Sequence, residues 1–473
     1  MAARSGPGSP RRLVEALDES RTDFAAGLDL GPAAATTLTI ELDSLREVQS
    51  GDAVVLGLGR ETLVELLALA AARARDERTS ASHEEIKHLV RRLEERLQID
   101  AEFDNARRDP EELSAAFGGG AQLDVHSLAG QLTVRRGSES LSETRRHRID
   151  ASLNHLRRFL QAHEERQPAV VLLHPHIIDA EELPEGVAAV AHNGGMDAAA
   201  GYFEAAARQM IDLFRALRTA RLEVEDAYLP EHDAMLARLD WQALSQEELA
   251  LVPSIFVLET ADRVLSHALS ALSTLLRSGR PLHLIILDSS AAMDSAGDPA
   301  TLATSHPDLG TLAMAHRDAL VLQTSLVQPG HLYDGLTRLA ASPRTSVAVI
   351  AVPEWDGAVE PWVQLTAAHQ ARETPCYLYD PDAGSTWAQR FDLSPNPDID
   401  EPWPRLVLQA EDATGKTVER QEVITFAHAA ALAPRCRHAF RVIPAEAWGP
   451  EQLPIVEYLD LAPPDRMRRI PYL

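Results

Sequence analysis

Cysteine and lysine are both scarce in this chain of 473 residues. Its two cysteines, Cys376 and Cys436, are far apart and form no Cys-x-x-Cys pattern, so the chain cannot by itself hold an iron–sulfur cluster with four thiolates. So few cysteines are typical of a reducing compartment, and we expect a cytoplasmic protein. Its two lysines, Lys87 and Lys416, leave little room for Schiff-base or P-loop lysine chemistry.

Positive charge is also in short supply. Lysine and arginine together number 45 against 71 aspartates and glutamates, which gives a formal net charge of -26. Binding to nucleic acid or to an anionic membrane depends on a basic surface, so neither partner is expected. No apolar run approaches the roughly 20 residues that a membrane-spanning helix needs, so no membrane span is expected.

The clearest pattern that is present lies between residues 253 and 354. Short apolar runs predict four strands, at 254–258, 283–288, 319–323 and 346–351. Helical patterns at 261–278 and 330–341 lie between them. This alternation indicates βαβ units around a buried parallel sheet. Ligands bind beyond the carboxyl ends of such strands, which points to the loops at 259–262 and 288–299.

The whole chain divides by pattern into four segments. They are a disordered tail at 1–20, a mainly helical α+β region at 21–165, an α/β domain at 166–400, and a small β-rich extension at 401–473. In the helical region, Ser82 and Glu85 look like a capping box that would begin a helix at 82–97.

Two short motifs resemble ligand sites but are predicted to be structural. Gly57 and Gly59 follow a predicted strand, yet the third glycine of a dinucleotide-binding fingerprint is missing. His174 and His176 flank a proline at a predicted strand end, and no third ligand follows at the spacing of a zinc site. We therefore expect a plain turn at the first motif and a polar strand end at the second.

A third motif lies in the extension, where the residues up to Thr417 match a loose P-loop pattern. A P-loop must open a helix, because helical N–H groups cradle the phosphate. Residues 418–426 predict a strand instead, so 412–415 is predicted to be a hairpin turn. A further strand is predicted at 455–459.

Several segments of the α/β region follow one another in a distinctive order and spacing. They are residues 275–279, 284–288, 307–315, 345–351, 377–381 and 391–398. Through them, residues 250–400 resemble the thiamine-diphosphate-binding C-terminal domain of the pyruvate:ferredoxin (2-oxoacid:acceptor) oxidoreductases. A weaker similarity reaches back to about residue 190. The resemblance implies a parallel-sheet, thiamine-diphosphate-binding-like α/β fold, with thiamine diphosphate and Mg²⁺ as the candidate cofactors.

Members of this family hold Mg²⁺, and through it the diphosphate, between a Gly-Asp-Gly aspartate and a downstream asparagine. Counted back from Asp288, the aspartate position falls on Ala261, and Asp262 follows one residue later. The asparagine position falls on Asp294, and Gly297 matches a family glycine. The resemblance therefore implies Asp262, Asp288, Asp294 and Gly297 as cofactor-binding residues, with Asp262 and Asp294 as the metal ligands. The family's cysteine-rich opening is missing, and no catalytic residue is assigned.

Two functions follow from this comparison. The first is a non-catalytic or partner-dependent subunit of a 2-oxoacid (pyruvate):ferredoxin oxidoreductase-like redox system, with other oxidoreductase subunits or a second copy as partners. It is favoured because losing a carboxylate ligand removes most of the binding energy of a divalent cation. The alternative is an active subunit that binds thiamine diphosphate and Mg²⁺ and decarboxylates pyruvate or a related 2-oxoacid, with partner chains supplying clusters and the pyrimidine domain.

Overall fold

A computed structural model describes the chain in segments that end at Leu473. They are residues 11–12, 54–55, 62–108, 141–164, 169–173, 187–191, 195–289, 308–353, 361–398, 400–411, 416–432 and 439–473. The chain forms two compact units. Unit 1 comprises Met1–Arg75, Pro168–Phe203 and Ser254–Leu473, and unit 2 comprises Asp76–Gln167 and Glu204–Pro253. Unit 2 thus combines part of the predicted helical region with a stretch that the sequence pattern places in the α/β segment.

The strands of the described residues are numbered in chain order. They are β1 (Arg11–Arg12), β2 (Val54–Val55), β3 (Ala169–Leu173), β4 (Val187–Ala191), β5 (Ile255–Thr260), β6 (Leu282–Ser289), β7 (Leu320–Ser325), β8 (Ser346–Val352), β9 (Tyr377–Tyr379), β10 (Phe391–Asp392), β11 (Arg405–Glu411), β12 (Thr417–Val423), β13 (Gln452–Pro454) and β14 (Ile470–Tyr472). Of these, β1 falls within the tail predicted to be disordered and pairs antiparallel with β2.

The α-helices follow the same order. They are α1 (Thr62–Arg108), α2 (Glu143–Glu164), α3 (Gly195–Val224), α4 (Glu231–Ala237), α5 (Gln246–Leu249), α6 (Ala261–Arg263), α7 (Leu269–Leu276), α8 (Leu309–Met314), α9 (Pro329–Ala341), α10 (Pro361–Gln370), α11 (Phe426–Leu432), α12 (Ile455–Asp460) and α13 (Pro463–Arg466). A π-helical segment, Val264–Ala268, joins α6 to α7. No described helix is long and apolar enough to cross a membrane.

Unit 1 is built on one mixed sheet with the strand order β10-β9-β7-β8-β6-β5-β3-β4. Six neighbouring strands, from β7 to β4 in that order, run parallel to one another. The other two are antiparallel, because β9 pairs antiparallel with β7 and the two-residue β10 pairs antiparallel with β9. The predicted α/β class with a parallel sheet is therefore confirmed, and the family-specific fold stays a prediction.

The central strands are buried, as their apolar runs predicted. The two central strands β5 and β6 pair in register from Ile255 with Leu282 to Thr260 with Leu287. One core cluster joins these strands to the first turns of α1 and to α9; its most deeply buried members include Leu67, Ala70, Phe256, Ile285, Leu322, Leu332, Leu336 and Leu339. Burying a leucine, isoleucine or phenylalanine side chain contributes about 1.5–3 kcal/mol, so this cluster holds the strands against α1 and α9.

Unit 2 is helical and carries an ion-pair network around one buried carboxylate. Glu223, near the end of α3, is 0% exposed and accepts hydrogen bonds from Arg145 Nε at 2.6 Å and Arg148 Nε at 2.7 Å. Arg148 also lies over the ring of Tyr228, 3.7 Å from its centroid. Arg145 donates in addition to the exposed Asp226. The network therefore links α2 to the C-terminal end of α3.

The hairpin in the extension is confirmed, whereas one strand predicted there is wrong. Strands β11 and β12 pair antiparallel from Arg405–Val423 to Glu411–Thr417, so a strand follows the P-loop-like residues. The predicted strand at 455–459 is the helix α12. Arg466 donates to the carbonyls of Leu459 and Leu461, which satisfies acceptors at the end of this helix that would otherwise lack partners.

The helix predicted to begin at Ser82 also differs from the structure. Residues 62–108 form the single helix α1, so the predicted capping box lies inside it. This stretch contains neither glycine nor proline, the residues that most strongly interrupt helices. Ser80 directs its hydroxyl to the carbonyl of Glu77, a bond that a helix interior tolerates.

Candidate functional site

The parallel strands place their carboxyl ends along one edge of the sheet. The chain leaves β3 toward β4 on one side, and it leaves β5 toward β6 on the other. The crevice at the carboxyl ends of β3 and β5 is therefore a topological switch point, where ligands of open α/β sheets bind. Residues that follow β5 and β6 at this edge are the first candidates for a site.

Two of the four predicted cofactor residues lie at neighbouring strand ends. Asp262 is in α6, directly after β5, and Asp288 is the penultimate residue of β6. Thr260 of β5 pairs with Leu287 of β6, so Asp262 and Asp288 both come just after this last pair of the two parallel strands. Asp294 and Gly297 lie outside the described residues, as do the Gly57–Gly59 and His174–His176 motifs.

The residues after β5 do not fit a Mg²⁺–diphosphate site of the family's kind. Ala261, at the counted position of the metal ligand, is 4% exposed and carries a methyl group in place of a carboxylate. The π-helical segment Val264–Ala268 lies between this turn and Asp288, and a π-helical turn contains one residue more than an α-helical turn. Allowing for that extra residue moves the counted position of the metal ligand back by one, from Ala261 to Thr260. Neither residue supplies a carboxylate, and no glycine allows the backbone to approach a diphosphate here.

Glu259, the residue before this turn, is the most unusual side chain at the edge. It is 1% exposed, and the backbone N–H of Met196, in the first turn of α3, donates to its carboxylate. Arg263 Nε lies 3.2 Å from Oε2 and forms an ion pair with it. Burial raises the pKa of this carboxyl above its usual value, even though Arg263 acts in the opposite direction and only Asp197 adds to the rise.

Gly195 makes this arrangement of Glu259 sterically possible. A Cβ atom on Gly195 would overlap Oε1 of Glu259, and the backbone at Gly195 has a φ of +46°, in the left-handed region that favours glycine. The carboxylate of Glu259 therefore occupies the N-terminus of α3. A carboxylate in this place is stabilised by the N–H groups and partial positive charge of a helix start.

A second polar cluster lies at the carboxyl end of β7. Sγ of Cys376 lies 3.6 Å from Nδ1 of His369, whose Nε2 lies 2.8 Å from the amide nitrogen of Gln328. Nδ1 of His331 lies 2.9 Å from Oγ1 of Thr324. Burial raises the pKa of the Cys376 thiol to about 11, so the thiol is protonated at neutral pH. The cluster thus lacks the thiolate that a Cys–His nucleophile needs.

The two histidines of this cluster predict acid sensitivity. Burial lowers the pKa of His331 and the pKa of His369 below the ordinary value, so the folded protein takes up these protons only at a lower pH than the unfolded chain does. The unfolded chain gains these protons as the pH falls through about 6.5, so the contribution to stability is complete above that pH and is lost below it. Urea denaturation at pH 7.5 and 5.5 measures this loss.

The histidine variants separate this effect from general acid denaturation. We expect His369→Gln to lose less stability between the two pH values than the unsubstituted protein, because one group no longer gains a proton on unfolding. His267→Gln removes an exposed histidine from the same unit and controls for the loss of an imidazole as such. Equal pH dependence in all three proteins would contradict the assignment.

Sequence patterns alone did not identify the residues that shape the edge. They point to the loop at 259–262 but give no role to Glu259, Arg263 or Gly195. One signal is present, because Glu259 is a lone carboxylate at the end of the apolar run 255–258. Among the described residues, no group of three or more His, Cys, Asp or Glu side chains could hold a metal ion. The sequence matches no known family model, and no curated protein matches it significantly.

Proposed function

We propose that this chain is a non-catalytic or partner-dependent subunit of a 2-oxoacid:ferredoxin oxidoreductase-like redox system, built on a degenerate thiamine-diphosphate-binding-like domain. The observation that carries the proposal is the turn after β5, where the family's spacing predicts the metal-binding aspartate and the chain has the buried methyl group of Ala261. Hard oxygen ligands hold Mg²⁺ and diphosphate, so their loss removes the main anchor of the cofactor.

The rest of the unit keeps the features of a ligand-binding α/β domain. The carboxyl ends of its six parallel strands lie on one side of the sheet and include a switch point, and the candidate residues Asp262 and Asp288 lie on that side, after β5 and at the end of β6. A domain that retains this fold but lacks a fitting metal site is consistent with a non-catalytic subunit that binds to catalytic chains. Those partners would carry the iron–sulfur clusters and the pyrimidine domain, because this chain has too few cysteines for a four-thiolate cluster.

Calorimetric titration with thiamine diphosphate in the presence of Mg²⁺ tests the proposal. We expect no saturable heat from the unsubstituted protein. A variant that rebuilds the family motif, Thr260→Gly with Ala261→Asp and Asp262→Gly, is expected to gain saturable, Mg²⁺-dependent binding. Ala261→Asp alone serves as the control, because it adds the carboxylate but keeps two side chains that obstruct the backbone.

Each result of this titration has a distinct meaning. Saturable binding by the unsubstituted protein would overturn the degenerate site and favour the alternative, an active subunit with Asp262 and Asp294 as metal ligands. If the folded triple variant gained no binding, the thiamine-diphosphate-like part of the proposal would be contradicted. Thermal denaturation of each variant establishes that it is folded before it is titrated.

A further inference from the structure

Residues 439–473 of unit 1 form regular structure around very little buried surface. They contain β13, β14, α12 and α13, and Ile455 is the one buried side chain among those that the structure describes there. Burying an isoleucine contributes about 1.5–3 kcal/mol, whereas ordering the backbone of each residue costs about 1–2 kcal/mol. The segment is therefore expected to gain stability from burial against another surface.

Large apolar side chains of this segment are exposed. They include Phe440, Val442, Ile443, Trp448, Met467 and Ile470. The ring of Trp448 lies against that of Tyr472, with centroids 4.7 Å apart, and Ile470 projects to the same side of β14 as Tyr472 because one residue separates them. We call Trp448, Ile470 and Tyr472 the Trp448 face. Nε1 of Trp448 donates to the carbonyl of Ile443 at 3.2 Å, so the polar atom of the indole is satisfied and its exposed part is apolar.

The strand edges beside this face are closed to a further strand. Ile470 donates its N–H to the carbonyl of Glu451, so the backbone of Pro471 lies on the open side of β14, and proline has no N–H. On the open side of β13 lie Gln452, whose N–H donates within the preceding turn, and Pro454. A partner would therefore bind through the side chains of the Trp448 face rather than by adding a strand.

The charge of the segment favours a second copy of the same chain as this partner. Residues 439–473 carry four arginines and five aspartates or glutamates, so they are nearly neutral, whereas the whole chain has a net charge of -26. Two copies of so acidic a chain repel one another, and the repulsion is least where the surface is balanced. A basic partner would instead be attracted to the acidic remainder of the chain. Because both signs of charge are present, a two-fold contact can place arginines of one copy opposite carboxylates of the other.

We propose that two copies of this chain associate through the Trp448 face in a two-fold symmetric dimer. Tryptophan, tyrosine and arginine are enriched among the residues that dominate binding energy, and the exposed Arg468 and Arg469 directly precede Ile470 of this face. A standard interface takes about 20–30 residues from each partner, and residues 439–473 can supply that number. The dimer goes beyond the proposed function and does not depend on it, because none of these residues belongs to the candidate site.

Sedimentation equilibrium of the full-length chain measures the dimer and its dissociation constant. We expect the unsubstituted protein to have twice the mass of one chain at micromolar concentrations. Trp448→Asp and Ile470→Asp are each expected to raise the dissociation constant by at least about tenfold, because each removes an apolar contact and places a charge in the interface. Thermal denaturation establishes that each variant is folded.

Trp387→Asp and Leu393→Asp are the matched controls in the same unit. Trp387 is 53% exposed against 49% for Trp448, and Leu393 is 58% exposed against 46% for Ile470. The controls add the same charge outside the Trp448 face, so they are expected to change the dissociation constant little. A monomeric unsubstituted protein, a dimer that the folded Trp448 and Ile470 variants leave intact, or equal weakening by the controls would overturn the proposal.

Hydrogen exchange of the unsubstituted chain tests the dimer without any substitution, so it decides the question even if neither variant folds. The amides of β13, β14 and α12 are expected to lose protection when the protein is diluted below the dissociation constant, because the covering surface is then lost. The amides of β5 and β6 are expected to keep theirs. Protection of β13, β14 and α12 that does not depend on protein concentration would contradict the proposal.

Discussion

Replacing Glu223 with alanine is expected to lower the free energy of unfolding of unit 2 by about 3 kcal/mol. The carboxylate is 0% exposed and accepts from both Arg145 and Arg148 at 2.6–2.7 Å. Its removal leaves two guanidinium groups without their shared partner, and this loss costs more than the net value of the intact pair. Since both arginine side chains are 27% exposed, water relieves part of the loss, which places the effect at the lower end of the range for buried pairs.

Hydrogen exchange of the amides in α2 and α3 measures this change within unit 2. A local measurement is needed because a chain with two units does not have to unfold in one step. Glu94→Ala is the control, since Glu94 pairs with Arg157 between α1 and α2 at 43% exposure. Exposed pairs contribute about 0.2–1 kcal/mol, so the control is expected to change little. A similar loss in the two variants would contradict the role of burial at Glu223.

Gly195→Ala is the second substitution with a large expected effect, a loss of about 3 kcal/mol from the stability of unit 1. Part of the loss comes from the φ of +46°, which an alanine adopts only with strain. The larger part comes from the overlap of the new Cβ with Oε1 of Glu259, which forces a buried carboxylate away from the Met196 N–H.

Gly201→Ala in the same helix provides the comparison. No atom lies within 4 Å of a Cβ placed there, and the position is exposed. Alanine is expected to stabilise this helix position by about 0.5–1 kcal/mol, because glycine loses more backbone entropy on folding. Hydrogen exchange of the amides of unit 1 in both variants should therefore show changes in stability of opposite sign. Shifts of the same sign would show that Glu259 does not depend on the missing Cβ of Gly195.

The central strands could be predicted closely from the sequence. The strand predicted at 283–288 is observed as Leu282–Ser289, and the one at 346–351 as Ser346–Val352. Both are continuous apolar runs bounded by polar or turn-forming residues, and strands buried on both faces have this signature. The helix at Ile455 could not be predicted in the same way, because Arg466, beyond the end of the helix, supplies the donors for its last carbonyls.

The candidate site was less predictable, because its geometry joins residues that are distant in sequence. A charged residue at the end of β5 is visible in the sequence, but whether its side chain enters the protein depends on Gly195 and the start of α3. The thiol of Cys376 is likewise visible, whereas its contact with His369 follows from the position of α10 against β9. Local pattern carries no information about such contacts between elements.

The antiparallel strands β9 and β10 have a consequence for behaviour in concentrated solution. An exposed edge strand offers a row of unpaired N–H and C=O groups that can template aggregation with another chain. Here the outermost strand on this side has only two residues, Phe391 and the exposed Asp392. Phe391 turns toward Tyr379 and Trp387, with ring centroids 5.2 and 5.5 Å away. A strand of two residues that includes a charged side chain offers few backbone groups for pairing with a strand of another chain. We therefore expect this side of the sheet to resist fibril-like aggregation.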